Sequence, residues 1–187
     1  MKIVYEYSHL GGSEILEVRY PQENKDINDA IREVVASKTK ISKEKLITGK
    51  KLYNPGELNQ AFRDAFESKG YEELKDAFDI KVCNREKTPA TVRSYKQVDF
   101  HKGKVLIEVQ FGKYAFMFYD MAKFQYFFNE NKADVGIEIV PCHYMKKEMS
   151  SGVSFGEQLI NDINRLKRHF PAVPIKLILI APDDDPE

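Results

Sequence analysis

Two carboxylates and an amide, Asp99, Glu108 and Gln110, stand in a stretch reading VDFHKGKVLIEVQFGK from Val98. Acids this close together in apolar sequence suggest metal-assisted chemistry. Residues 105–111 are β-branched and aromatic, the pattern of a strand. Alternation sets Leu106, Glu108 and Gln110 on one face and Val105, Ile107, Val109 and Phe111 on the other. Taking Lys102-Gly103 as the two-residue turn of a hairpin pairs Phe100 with Val105 and Asp99 with Leu106. Asp99 then joins the face of Glu108 as its diagonal neighbour. Carboxylates at that separation repel unless a cation or a shared proton offsets them. A hard divalent ion such as magnesium, held by one or two carboxylates with water and substrate phosphate, meets the need. The competing explanation is structural, with Asp99 in a turn and Glu108 and Gln110 on the wet face of an edge strand.

The elements that must position this stretch can be read along the chain. Residues 1–7 alternate weakly as a strand, residues 8–13 turn, and residues 13–18 form a short helical or extended piece. Ile27, Ile31, Val34 and Val35 recur at helical spacing and predict an amphipathic helix over residues 26–37. Six lysines in residues 38–51 mark either a solvated loop or a clamp on a phosphate backbone. Asn54 as N-cap and Pro55 at the first helical position open a helix carrying Leu58, Ala61, Phe62, Ala65 and Phe66, ended at Lys69-Gly70. An irregular segment precedes a possible strand over residues 78–83, and residues 84–90 read as a loop.

Beyond the central stretch, residues 115–129 are aromatic nearly all round, which predicts a largely buried helix, part of it covered by a second subunit. Residues 134–141 alternate as a strand, 146–153 loop, 155–170 form a helix and 175–180 an unbroken apolar central strand. The acidic tail from Asp183 is expected to be disordered. Strands and helices interleave without a strict βαβ series, so the expected fold is α/β with a mixed central sheet flanked by helices.

The 187 residues suit one domain, residues 1–187, with a sizeable core. Lys plus Arg and Asp plus Glu number 29 each, so a protein coating nucleic acid nonspecifically is disfavoured, although a local basic cleft is not. Cys83 and Cys142 lack C-x-x-C spacing and indicate neither zinc nor a disulfide framework. His101, His143 and His169 show no ligand spacing. With no apolar run of membrane-spanning length and no signal-peptide pattern, a cytoplasmic protein is expected.

Asp99, eight intervening residues and Glu108-Val109-Gln110 resemble the active-site signature of the PD-(D/E)XK nucleases, with glutamine in place of the usual lysine. The string EVQFGKY, with YSHL from Tyr7, LYNPGELNQAF from Leu52, DVGIEIVP from Asp134 and KEMSSGVS from Lys147, is similar to type II restriction endonucleases of the BglII and BstYI-like group. The resemblance implies a restriction-endonuclease-like core and Mg2+-dependent hydrolysis of double-stranded DNA. Asp99, Glu108 and the Val109 carbonyl would ligate the metal, and Gln110 would orient a water. Glu73 matches the place of a further polar active-site residue. Lys113 and the loop Ser150, Ser151, Gly152 match DNA-contacting positions.

The resemblance also implies a homodimer, a GATC-centred palindrome (RGATCY or a subset) cut to leave 5′ overhangs, and a cognate DNA methyltransferase in the same system. A structure-directed repair nuclease of the same superfamily and a non-catalytic DNA-binding relative are the alternatives.

Overall fold

The computed structural model describes residues 1–166 and 169–183. Its centre is a six-stranded sheet in the order β1-β8-β7-β6-β5-β4, where β1 is Lys2–His9, β4 Glu72–Cys83, β5 Pro89–Lys102, β6 Val105–Val109, β7 Val135–Pro141 and β8 Ile175–Ala181. The sheet is mixed, with β6, β7 and β8 parallel to one another and the remaining pairs antiparallel. Every residue of β6, β7 and β8 is buried, as parallel strands covered on both faces must be.

Helices cover the sheet: α1 (Gly12–Arg19), α2 (Pro21–Glu33), α3 (Pro55–Glu67), α4 (Tyr114–Asn129), the short α5 (His143–Lys146) and α6 (Gly156–Leu166). Between α2 and α3, β2 (Lys40–Ile41) pairs with β3 (Lys51–Leu52) in a separate ribbon. α3 starts as its sequence demands: Asn54 Oδ1 accepts the Gly56 N–H at 3.1 Å and Pro55 occupies the first turn. Its stripe of Leu58, Phe62, Ala65 and Phe66 is buried, and Phe62 and Phe66 meet Phe111 and Phe100 of the central hairpin. α4 covers the opposite face, where Gly136 of β7 admits the Phe124 ring; a Cβ there would stand 2.5 Å from Phe124 Cγ.

Several boundaries differ from those read in the sequence. The helix expected over residues 26–37 is α2, which begins five residues earlier because Pro21 already has the backbone angle of a first helical turn. It ends when Val34 turns extended, leaving Val35 exposed. The segment read as irregular, with a strand only over residues 78–83, is one strand of 12 residues, and β4 with the 14-residue β5 forms a long ribbon turned at residues 84–88. Much of this ribbon is exposed, so polar side chains interrupt the alternation that would have announced it.

α4 is one-sided rather than largely buried: Met117, Met121, Phe124 and Phe127 face the sheet, while Phe116, Tyr119 and Phe128 are exposed. Of the helix expected over residues 155–170, α6 covers Gly156–Leu166, residues 167–168 lie outside the described residues, and His169 and Phe170 are not helical; the acidic tail beyond Asp183 also lies outside the described residues.

Candidate active site

The hairpin that carries the candidate acids turns at Gly103-Lys104, not Lys102-Gly103. Lys102 pairs with Val105, His101 with Leu106 and Phe100 with Ile107. Gly103 has φ +57°, and positive φ at the first central residue is what glycine supplies in a type II′ turn. The register therefore moves by two residues, and its continuation sets Asp99 directly across from Glu108. Because strand faces repeat every two residues, the slip leaves both acids on one face.

The two strands fork at this point. β6 continues beside β7, with Gln110 N–H donating to the Ile139 carbonyl at 3.0 Å. The half-buried Asp99 fills the fork, its Oδ2 accepting the Val109 N–H at 3.2 Å. A small pocket of about 80 Å3 opens there, lined by Asn59 and Arg63 of α3 with Asp99, Phe100 and Val109.

On the α4 side the acids are buried far more deeply. Glu108 is 2% exposed, and the Lys123 ammonium touches its Oε1 as an ion pair outside hydrogen-bond geometry. Lys123 also contacts Asp120 Oδ1 at 2.8 Å, and Gln110 Nε2 donates to Asp120 Oδ2 at 3.0 Å. Parallel pairing places Glu138 of β7 beside Glu108; it is fully buried, and neither of its carboxylate oxygens has a hydrogen-bond partner among the described residues.

The electrostatics follow from burial. Desolvation, then the charge of Asp120, pushes Glu138 well above the usual carboxylate range. Desolvation, then Asp120 and Asp99, does the same to Glu108, and desolvation raises Asp120. Burial works against the charged form of Lys123, but Glu108 and Asp120 outweigh it and raise its pKa. An unpaired buried ion costs several kcal/mol, so Glu138, without a hydrogen-bond partner among the described residues, is the group held neutral. Lys123 pairs with both Glu108 and Asp120, and Asp99 is held by the Val109 N–H, so a divalent cation at the fork would offset acidic charge that one ammonium is shared to cover.

Among the described residues no three His, Cys, Asp or Glu side chains converge as a metal cage. Two carboxylates and a backbone carbonyl at the fork suit an ion that keeps most of its water, as magnesium does.

The structure thus brings Asp99, Glu108, Val109 and Gln110 together. Glu73 is exposed on β4, in the bulge between the Glu72–His101 and Leu74–Val98 pairs that lies opposite Asp99 and Phe100, and its carboxylate accepts Gln97 Nε2 at 2.6 Å. Lys113 is exposed at the N-cap of α4, and Ser154 N–H donates to the Gly112 carbonyl at 2.9 Å, tying the serine loop to the end of the central stretch.

In that loop the Ser150 hydroxyl accepts Lys40 Nζ at 2.7 Å, the Ser151 N–H donates to Glu44 Oε1 at 2.9 Å, and Gly152 faces open space. Lys38 and Lys50 pair with Glu148 at 3.1 and 2.7 Å, so the lysine-rich segment is docked on the serine loop.

Asp120, Lys123 and Glu138 are the members of the cluster that sequence reasoning missed. Asp120 and Lys123 lie i,i+3 on a helix whose sequence is marked by its aromatics, so the pair carries no signal of its own. Glu138 was the one signal available, an acid in the middle of an apolar strand.

A mixed sheet forked between an antiparallel hairpin and a parallel strand, with acids at the fork, defines a restriction-endonuclease-like enzyme. A model of the family described as restriction endonuclease BglII/BglIII matches residues 4–180. The chain belongs to that family and is a type II restriction endonuclease, a site-specific deoxyribonuclease.

Solved structures agree. A crystal structure of restriction endonuclease BglII complexed with a DNA 16-mer is 25% identical with a TM-score of 0.74, over 99% of this chain and 79% of that one. Free BglII is 22% identical with a TM-score of 0.66, over 99% and 82%. No curated protein matches the sequence. Among the described residues no helix is long and apolar enough to cross a membrane.

Proposed function

We propose that this enzyme hydrolyses double-stranded DNA at a GATC-centred palindrome, RGATCY or a subset, in a magnesium-dependent reaction that leaves 5′ GATC overhangs. The observation that carries the reading is the fork, where Asp99 stands opposite the buried Glu108 beside Val109. Asp99, Glu108 and the Val109 carbonyl hold the metal. When bound, magnesium supplies Lewis acidity at the scissile phosphate and lowers the pKa of a water.

The protein's own residues do the rest. The Val109 N–H fixes Asp99, and burial between α4 and β7 excludes bulk water from Glu108. Arg63, 45% exposed at the pocket mouth, suits a phosphate oxygen. Gln110 carries no positive charge, so it orients rather than electrostatically stabilises an attacking water. Glu73 takes part only if its bond to Gln97 is exchanged on substrate binding.

Lys113 and the loop of Ser150, Ser151 and Gly152 read base edges. They lie at the same end of the sheet, and the serine groups exchange Lys40 and Glu44 for DNA. Support for DNA as the substrate comes from the similar BglII complex with a DNA 16-mer. Each chain acts as one domain, and a palindrome is cut by a two-fold homodimer with one fork per strand. The exposed Phe116 and Tyr119 of α4 suit burial by a second copy. A cognate methyltransferase would protect host DNA.

Digestion of unmethylated plasmid with magnesium, followed by sequencing of the ends, tests the reading. Discrete fragments ending in 5′-GATC are expected, from a protein that sediments as a dimer. Cutting confined to junctions or damaged sites would instead identify a repair nuclease. Specific binding of the duplex without cutting would identify a binding module.

A further inference from the structure

We propose that Lys123, on helix α4, supplies the positive charge that the strand lacks at Gln110 and positions Glu108 for the metal, an inference that rests on the nuclease reading above. Three contacts form one chain across the α4 face of the sheet: Gln110 Nε2 to Asp120 Oδ2 at 3.0 Å, Asp120 Oδ1 to Lys123 Nζ at 2.8 Å, and Lys123 Nζ to Glu108 Oε1. Lys123 has 13% of its side chain exposed, and Asp120 and Glu108 have 2% each, so these are desolvated contacts rather than a screened surface pair.

Gly112 belongs to the arrangement. A Cβ at that position would stand 2.5 Å from Gln110 Oε1, so a side chain there would displace the amide that holds Asp120.

The geometry gives the glutamine a reason. A lysine at position 110 would bring a second ammonium to Asp120 and compete with Lys123. A glutamine donates a neutral hydrogen bond and leaves Asp120 to hold the cation on the helix. Glu108 is then fixed through one oxygen by Lys123, with its other oxygen available at the fork. Lys123 acts through Glu108 and is a positioning residue. Asp120 and Gln110 are its bracket.

Three variants test this, Lys123→Met, Lys123→Arg and the double variant Gln110→Lys with Lys123→Met. Mn2+ binding to the DNA-free protein, read by electron paramagnetic resonance of the free ion, is the measurement independent of cleavage; manganese takes the same oxygen donors as magnesium. Lys123→Met is expected to weaken Mn2+ binding at least tenfold and to slow single-turnover cleavage at least 100-fold. Metal-free binding to a GATC duplex should hold within threefold, which reports an intact fold. Lys123→Arg should keep Mn2+ affinity within threefold, and the double variant should recover at least tenfold of the lost cleavage.

Unchanged or tighter Mn2+ binding in Lys123→Met would overturn the proposal, as would a double variant no better than the single one, since a mere packing role is not restored from the strand. If Lys123→Met does not fold, the double variant compared with wild type decides. Should wild type fail to cut while Glu108→Ala and Lys123→Met both lose Mn2+, the nuclease reading fails and the positioning role stands.

Discussion

Glu138 has a fully buried carboxyl group with no hydrogen-bond partner among the described residues, beside Glu108 and near Asp120. Its pKa is raised on folding, so between the unfolded value near 4.5 and the higher folded one the native state binds the extra proton. Stability contributed by this group is present at low pH and is lost as pH rises through the folded pKa. Glu138→Gln removes the titration while keeping the shape. It is expected to stabilise the metal-free protein by about 1–3 kcal/mol at pH 8, roughly 2–4 °C per kcal/mol, and to do little at pH 5. Thermal unfolding at the two pH values checks this, and an equal shift at both would contradict it.

Asp99 and Glu108 were legible in the sequence although the turn was misplaced, because a two-residue slip preserves strand faces where a one-residue slip would have inverted them. Asp120, Lys123 and Glu138 were not, since their partners are supplied by packing across the sheet rather than by neighbours in sequence.

At the scale of elements, α4 brings Asp120 and Lys123 to the site, and its seat is the contact of Phe124 with Gly136. Gly136→Ala puts a methyl group 2.5 Å from the ring and must push α4 away from β7. An overpacked core contact of this kind costs about 1–3 kcal/mol. The same displacement draws Lys123 from Glu108, so cleavage should fall by more than the stability loss explains. Single-turnover rates well below the unfolding temperature check it, and a destabilised variant with wild-type rates would contradict the coupling.

Strong patterns made some elements readable: the Asn54-Pro55 start and buried stripe of α3, and the apolar run of β8. The β4-β5 ribbon was not readable in full. Toward its tip Ile80 and Val92, paired across it, are both solvent-exposed, and nearer the sheet the half-buried face of Leu74, Asp76 and Phe78 includes an acid, so the alternation is broken. On α4 the aromatics outside the core face, Phe116 and Tyr119, concealed which side meets the sheet.

For the whole molecule, 29 basic and 29 acidic residues give no net attraction to DNA, so affinity must come from how charge is distributed. Here the lysine-rich segment is pinned to the serine loop through Glu148, Ser150 and Ser151, at the end of the sheet where the fork opens. On the proposed reading, binding and chemistry rest on different residues, surface lysines and loop groups for the one, the buried fork for the other.

The proposed separation is tested with Asp99→Ala and Glu108→Ala, each assayed for binding to a GATC-containing duplex without metal and for cleavage with magnesium. Cleavage is expected to fall at least about 1,000-fold in both, equivalent to roughly 4 kcal/mol of lost transition-state stabilisation, with duplex binding kept within a few-fold of wild type. Magnesium-dependent cutting at near wild-type rates in either variant would contradict it.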